Sequence, residues 1–70
     1  MQLKELQPIL RSGIGKIQSA IVYDATENKD LDYGCSVDYA IAHHGEREVS
    51  RIYPFYDTTV SENYLVIEVK

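Results

Sequence analysis

The sequence has few of the features that stabilise very small proteins. Its 70 residues contain one cysteine, Cys35, and no tryptophan. A single cysteine excludes a disulfide within the chain and favours a reducing compartment. A domain of this size buries only about 60% of the surface that its unfolded chain exposes, so many such domains depend on disulfides, metals or association. Because the sequence offers neither disulfides nor a metal motif, we expect a homo-oligomer.

Long apolar runs are also missing. No run reaches the roughly 18 residues of a membrane span. The first 13 residues lack the basic start, apolar core and small-residue cleavage site of a secretory leader. We therefore expect one domain over residues 1–70, in the cytoplasm and without membrane contact. A chain this short leaves little room for a deep enclosed cleft, which argues against an enzyme.

Basic residues are scarce. Seven Lys and Arg face 11 Asp and Glu, for a net charge of -4. Residues 24–38 contain five acids and one lysine, so the excess is local. Nucleic-acid binding needs clustered Lys and Arg, so we expect no direct binding to nucleic acid. Asp30 and Asp32 belong either to a solvated loop or to a surface that steers a basic partner.

Motifs for catalysis or metal binding are lacking. His43 and His44 are consecutive, so on a helix they would point about 100° apart and could not chelate one metal. Cys35 stands in no nucleophile motif and has no orienting third group in the sequence. The acidic run 24–32 has Lys29 where a calcium loop needs its glycine. We predict no catalytic residue, no metal and no cofactor.

The chain begins with a helical pattern. Three leucines share one helical stripe: Leu3, Leu6 and Leu10. Pro8 lacks a backbone donor, so the helix must be short, with Pro8 in or near its first turn. Gly13 and Gly15 predict its stop.

Four segments are typical of strands, namely 16–24, 31–35, 47–56 and 63–70. The first is apolar on both faces, which predicts a strand covered on both sides. The polar run 25–30 predicts a hairpin connection to the second. Because Pro54 cannot donate to a strand ladder, we expect the third strand at a sheet edge, or its end at a bulge.

Residues 37–44 fit two patterns. Their apolar residues alternate as in a strand, and they also share one helical face. Ser36 as an N-cap and Gly45 as a left-handed stop favour a helix. In that helix His44 would be partly buried and His43 exposed. The fold expected is α+β, a small four-stranded, mainly antiparallel sheet with two short helices in the order α-β-β-α-β-β.

Tyrosine is abundant, with six residues. It joins an apolar ring to a polar tip and is enriched in interface cores, although β propensity alone could also explain it. We predict that a protein partner contacts four tyrosines and two acids: Tyr33, Tyr39, Tyr53, Tyr56, Asp30 and Asp32. Alternatively, Arg51 and Tyr53 lie two residues apart and could hold the phosphate and base of a small nucleotide.

Four segments carry a resemblance: "LKELQPIL", "DYGCSVDYA", "GEREVSRIYP" and "YLVIEVK". Together they resemble a loose group of very short proteins encoded in phages and prophages of Gram-positive bacteria. The resemblance implies a leading helix, a hairpin, a short helix and a final strand pair, and it transfers no site residue. We therefore expect a phage-related, non-enzymatic protein that binds and modulates or inhibits a host protein, either a bacterial defence protein or a regulatory protein. The alternatives are an oligomer that sequesters a nucleotide-like ligand and a structural subunit of a phage particle.

Overall fold

The computed structural model describes residues 1–12 and 19–70. Two helical segments and four strands follow one another in the described chain. A 3-10 helix, Leu3–Leu6, runs into α1, Gln7–Ser12; the other elements are β1, Ser19–Asp24; β2, Lys29–Ser36; α2, Val37–His44; β3, Val49–Asp57; and β4, Glu62–Val69. This order confirms the predicted α-β-β-α-β-β arrangement.

The strands form one mixed sheet in the order β2-β1-β4-β3. The hairpin pairs β1–β2 and β3–β4 are antiparallel, and the central pair β1–β4 is parallel. Parallel neighbours need a long crossover, and the chain through β2, α2 and β3 provides it. The α+β class and the mainly antiparallel sheet are therefore confirmed. Pro54 lies in β3, an edge strand, as predicted.

The helices cover one face of the sheet. The main core consists of buried side chains from the helices and the two central strands: Leu3, Leu10, Ala20, Val22, Val37, Ala40, Ile67 and Val69. A smaller cluster on the other face contains Ile21, Tyr64 and Val66, and no described helix contributes to it. The described residues therefore form two layers, and none of their helices covers the other face of the sheet. We call this the open face.

The first helical segment follows the prediction. Leu3 and Leu10 are buried, and Leu6 packs against them. Pro8 is the second residue of α1 and so lies in its first turn, as predicted. The predicted stop at Gly13 and Gly15, and residues 16–18 of the first predicted strand, lie outside the described residues.

Two irregularities shape β2. Its register with β1 skips Leu31 and Gly34, so each is an extra residue, as in a β-bulge. Gly34 has a φ of 89°, a conformation that glycine adopts without strain. Because Leu31 is an extra residue between them, Asp30 and Tyr33 can both lie on the open face although three positions separate them.

The start of α2 matches the sequence prediction, and residues 37–44 form a helix. The Oγ of Ser36 accepts a hydrogen bond from the backbone N–H of Tyr39 at 3.0 Å, as an N-cap does. Near the end of α2, His44 is partly buried and His43 is exposed, as expected.

The predicted left-handed stop at Gly45 is wrong. Gly45 has φ -61° and ψ -26°, the right-handed conformation that any residue adopts. Space, not conformation, explains the glycine, because a Cβ there would lie 2.4 Å from the Ile41 carbonyl oxygen and 3.2 Å from the Lys4 Cβ. The carbonyl of Gly45 also accepts a hydrogen bond from the Lys4 N–H at 2.8 Å. The end of α2 thus packs closely on the 3-10 helix.

Candidate functional site

The open face is organised in rows that run across the four strands. One row, which we call the charged row, follows the register through Asp30, Tyr23, Glu68 and Arg51, in the strand order β2, β1, β4, β3. The next, the middle row, passes through Tyr33, Ile21, Val66 and Tyr53. A third contains Tyr64 and Phe55.

A shallow groove of about 560 Å³ lies on this face. Its lining includes aromatic rings and charged groups from both outer strands, among them Tyr23, Tyr33, Tyr53, Phe55, Asp30 and Arg51. Three of these rings are well exposed, Tyr33 at 50%, Phe55 at 43% and Tyr53 at 37%. Exposed aromatic rings beside charged groups are typical of binding surfaces.

Arg51 is held in place by two neighbours. Its Nη2 donates to the Oε2 of Glu68 at 3.1 Å, and its guanidinium carbon lies 5.1 Å from the centre of the Tyr53 ring. The hydrogen bond from Arg51 lowers the pKa of Glu68. Asp30, Glu68 and Arg51 together give the groove a net charge of about -1 at neutral pH. The groove therefore favours a basic group over a phosphate.

Tyr33 reaches across the same face. Its hydroxyl donates to the Oδ2 of Asp57 at 2.5 Å, and its ring lies 5.1 Å from that of Tyr64, centre to centre. This hydrogen bond raises the pKa of Tyr33 to about 12 and lowers the pKa of Asp57. Because Tyr33 belongs to β2 and Asp57 to β3, the bond joins the two edge strands over the central pair.

The structure brings together four of the residues singled out in the sequence. Asp30, Tyr33, Arg51 and Tyr53 all line the groove. Arg51 and Tyr53 face the same way, as their spacing requires, although Arg51 already contacts Glu68.

Three other residues lie away from the groove. Asp32 contacts the Nε2 of His44 at 2.5 Å on the helical side. Tyr39, on α2, stacks on the His43 ring with 3.9 Å between ring centres. Tyr56 is 51% exposed and alternates with Tyr53 and Phe55, so it points to the opposite side of β3.

The sequence interpretation missed Tyr23, Phe55 and Glu68 as groove residues. A signal existed, because Arg51, Tyr53 and Phe55 are spaced by two in a predicted strand. What the sequence did not give was the face of the sheet that the helices leave uncovered. Glu68 reads as a polar residue in an apolar strand, and only the register places it beside Arg51.

Two other titratable groups, Asp24 and Cys35, have structural partners. Asp24 is buried, accepts from the backbone N–H groups of Glu27 and Thr26, and contacts Arg47 at 2.7 Å. The Glu27 bond, together with Arg47 and Thr26, lowers the pKa of Asp24. Burial raises the pKa of Cys35, which disfavours the thiolate that a nucleophile needs. Within residues 1–12 and 19–70, no three His, Cys, Asp or Glu side chains are grouped to hold a metal.

Comparisons with protein-family models, with curated proteins and with solved structures find no match to this chain. In the part of the chain that the structure describes, no helix is long and apolar enough to cross a membrane. The open face is therefore the main guide to function.

Proposed function

We propose that this chain is a small non-enzymatic binding protein whose open face docks on another protein. One observation carries the proposal: three exposed aromatic rings and a charged pair share one uncovered sheet face, namely Tyr33, Tyr53, Phe55, Arg51 and Glu68. Clustered aromatic residues and arginine are the side chains that most often dominate binding energy in protein interfaces.

The charges of the groove support a partner that offers basic as well as apolar side chains. Asp30 is exposed at one end of the charged row, and the Glu68 carboxylate lies near the other. A cationic side chain could also lie over the ring of Tyr23 or Tyr53, as Arg51 already does. The sequence resemblance to short phage proteins extends the proposal: the partner would be a defence or regulatory protein in the cytoplasm of a bacterial host.

A second candidate is a small-ligand-binding protein. It is favoured by the position of Arg51 over Tyr53 inside a groove of about 560 Å³, where a ring and a phosphate could be held together. The same geometry weakens it, because the guanidinium is already paired with Glu68 at 3.1 Å and Asp30 lines the same groove. A phosphate at Arg51 would lie beside the Glu68 carboxylate and in the same groove as Asp30, and both would repel it.

Native mass spectra of the untagged protein, taken directly from cell lysate, separate these two functions. The variants are Tyr53→Ala on the open face and Tyr56→Ala, its matched control on the same strand but the opposite side. We expect added mass of protein size on the wild type and on Tyr56→Ala, and its loss in Tyr53→Ala. Added mass of only a few hundred daltons, or equal binding by both variants, would contradict protein docking through this face.

A further inference from the structure

The charges on the open face are arranged so that the face complements itself. Asp30 lies on β2 and Arg51 on β3, the two edge strands, and both belong to the charged row. The row therefore has a negative group at one end and a positive group at the other. The adjacent middle row has Tyr33 at one end and Tyr53 at the other, again on opposite edge strands.

If a second copy is rotated by 180° about an axis parallel to the strands, the negative end of its charged row faces the positive end of the first copy's row. This twofold axis lays β2 of one copy over β3 of the other. Each row keeps its position along the strands, so it faces the same row of the second copy. We propose that a second copy of this chain packs face to face on the open face about this axis, with Asp30 of each copy paired with Arg51 of the other. The inference rests on the proposed function, because it names the occupant of the same docking face.

The packing of the middle row agrees with this axis. By register, the position of Tyr33 in one copy would face that of Tyr53 in the other, so the exposed rings would meet above Ile21 and Val66, which are already buried within each copy. Sheets that pack face to face keep their strands within about 30° of each other and lie about 10 Å apart, which this axis allows. A twofold axis perpendicular to the strands would instead lay β2 over β2, so Asp30 and Arg51 would not meet.

Both charged groups are accessible for such contacts. The Arg51 side chain is 69% exposed although it contacts Glu68, whose own side chain is 11% exposed. Asp30 is exposed at the edge strand. An inter-copy contact can therefore form without breaking the pair between Arg51 and Glu68, and each Arg51 would then lie between two carboxylates.

The size of the face sets the expected strength. Four strands about 4.8 Å apart, with about seven residues each at 3.4 Å, give a projected area of about 450 Å² per copy. Two such faces come close to the lower end of specific interfaces, which corresponds to weak, reversible association. We expect a dimer that dissociates on dilution and on addition of salt, because the Asp30–Arg51 contacts lie at the rim of the interface.

Charge reversal tests the pairing directly by sedimentation velocity at low salt. Asp30→Arg alone would place two arginines together at both contacts, and Arg51→Asp alone would place two aspartates together. We expect each single variant to dimerise at least about tenfold more weakly than the wild type, because each repulsion occurs twice. An equimolar mixture of the two variants restores both contacts, so we expect it to form a heterodimer.

The outcomes are distinct. A mixture that sediments as the sum of two monomers, with both variants folded by circular dichroism, overturns the inference. If Arg51→Asp unfolds because it lies beside Glu68, Tyr53→Ala and its control Tyr56→Ala decide: loss of the dimer in Tyr53→Ala alone supports the inference, and loss in neither overturns it. A wild type that stays monomeric yet docks another protein through Tyr53 overturns this inference and leaves the proposed function standing.

Discussion

Replacing Gly45 with alanine sets two physical effects against each other. Gly45 has right-handed φ and ψ, and in such a conformation Gly→Ala normally stabilises a protein by about 0.4–1 kcal/mol, because alanine loses less entropy on folding. Here the new Cβ would lie 2.4 Å from the Ile41 carbonyl oxygen and 3.2 Å from the Lys4 Cβ. The first neighbour is backbone, so the end of α2 would have to shift.

The steric effect should decide the sign. Overpacking of this kind costs about 1–3 kcal/mol, so after the entropy gain we expect Gly45→Ala to lower the free energy of unfolding by about 1–2 kcal/mol. For a domain of 60–100 residues, each kcal/mol corresponds to about 4–8 °C in Tm. Thermal and denaturant unfolding measure this change in the free energy of unfolding. The protein concentration is held fixed, because association shifts the midpoint.

The control is Ala42→Gly, at an exposed position of the same helix. It should destabilise by about 0.5–1 kcal/mol through backbone entropy alone. If helix propensity governed both sites, Gly45→Ala would raise the free energy of unfolding and Ala42→Gly would lower it. A Gly45→Ala protein with an unchanged or higher midpoint would refute the steric account of this glycine.

Three further predictions concern single residues. Ser36→Ala removes the N-cap of α2 and should lower the free energy of unfolding by about 0.5–2 kcal/mol in denaturant titrations, with Ser36→Asn close to wild type. Backbone hydrogen bonds lower the folded-state pKa of Asp24 below 3.8, so its contribution to the free energy of unfolding is complete above that pH and is lost as the pH falls through the folded-state pKa. Asp24→Asn should therefore flatten the acid side of the profile of stability against pH. An unchanged profile would contradict this. Ultraviolet titration should show one tyrosine that ionises near pH 12. This transition should be absent in Tyr33→Phe, and in Asp57→Asn it should move back toward pH 10. If no tyrosine of the wild type titrates late, the hydrogen bond between Tyr33 and Asp57 is contradicted.

Much of the fold followed from local sequence signals. The N-cap at Ser36, the proline in an edge strand and the apolar strand that ends the chain each depend on neighbours in sequence, and the structure confirms each of them. The left-handed stop predicted at Gly45 was wrong, because the close approach between α2 and the 3-10 helix that requires this glycine leaves no local signal in the sequence.

The candidate site was less accessible to sequence reasoning. Alternation shows that Tyr53 and Tyr56 point to opposite sides of β3, but not which side the helices cover. Asp30 and Asp32 lie on opposite faces because Leu31 is an extra residue between them, and a regular strand would have placed the two acids together. The register across four strands, which brings Asp30 and Arg51 into one row, is a tertiary property.

Hydroxyl-radical footprinting of the tyrosines tests most directly whether the open face is a docking surface. Tyr33 and Tyr53 lie on that face, and Tyr39 and Tyr56 are similarly exposed elsewhere, so the chain contains its own controls. The wild type is compared at a concentration where it is associated, with its copy or another protein, and after dilution to the monomer. The account predicts protection of Tyr33 and Tyr53 in the associated state, with Tyr39 and Tyr56 unchanged. Equal reactivity of Tyr33 and Tyr53 in both states, or protection of Tyr39 and Tyr56 instead, would contradict it.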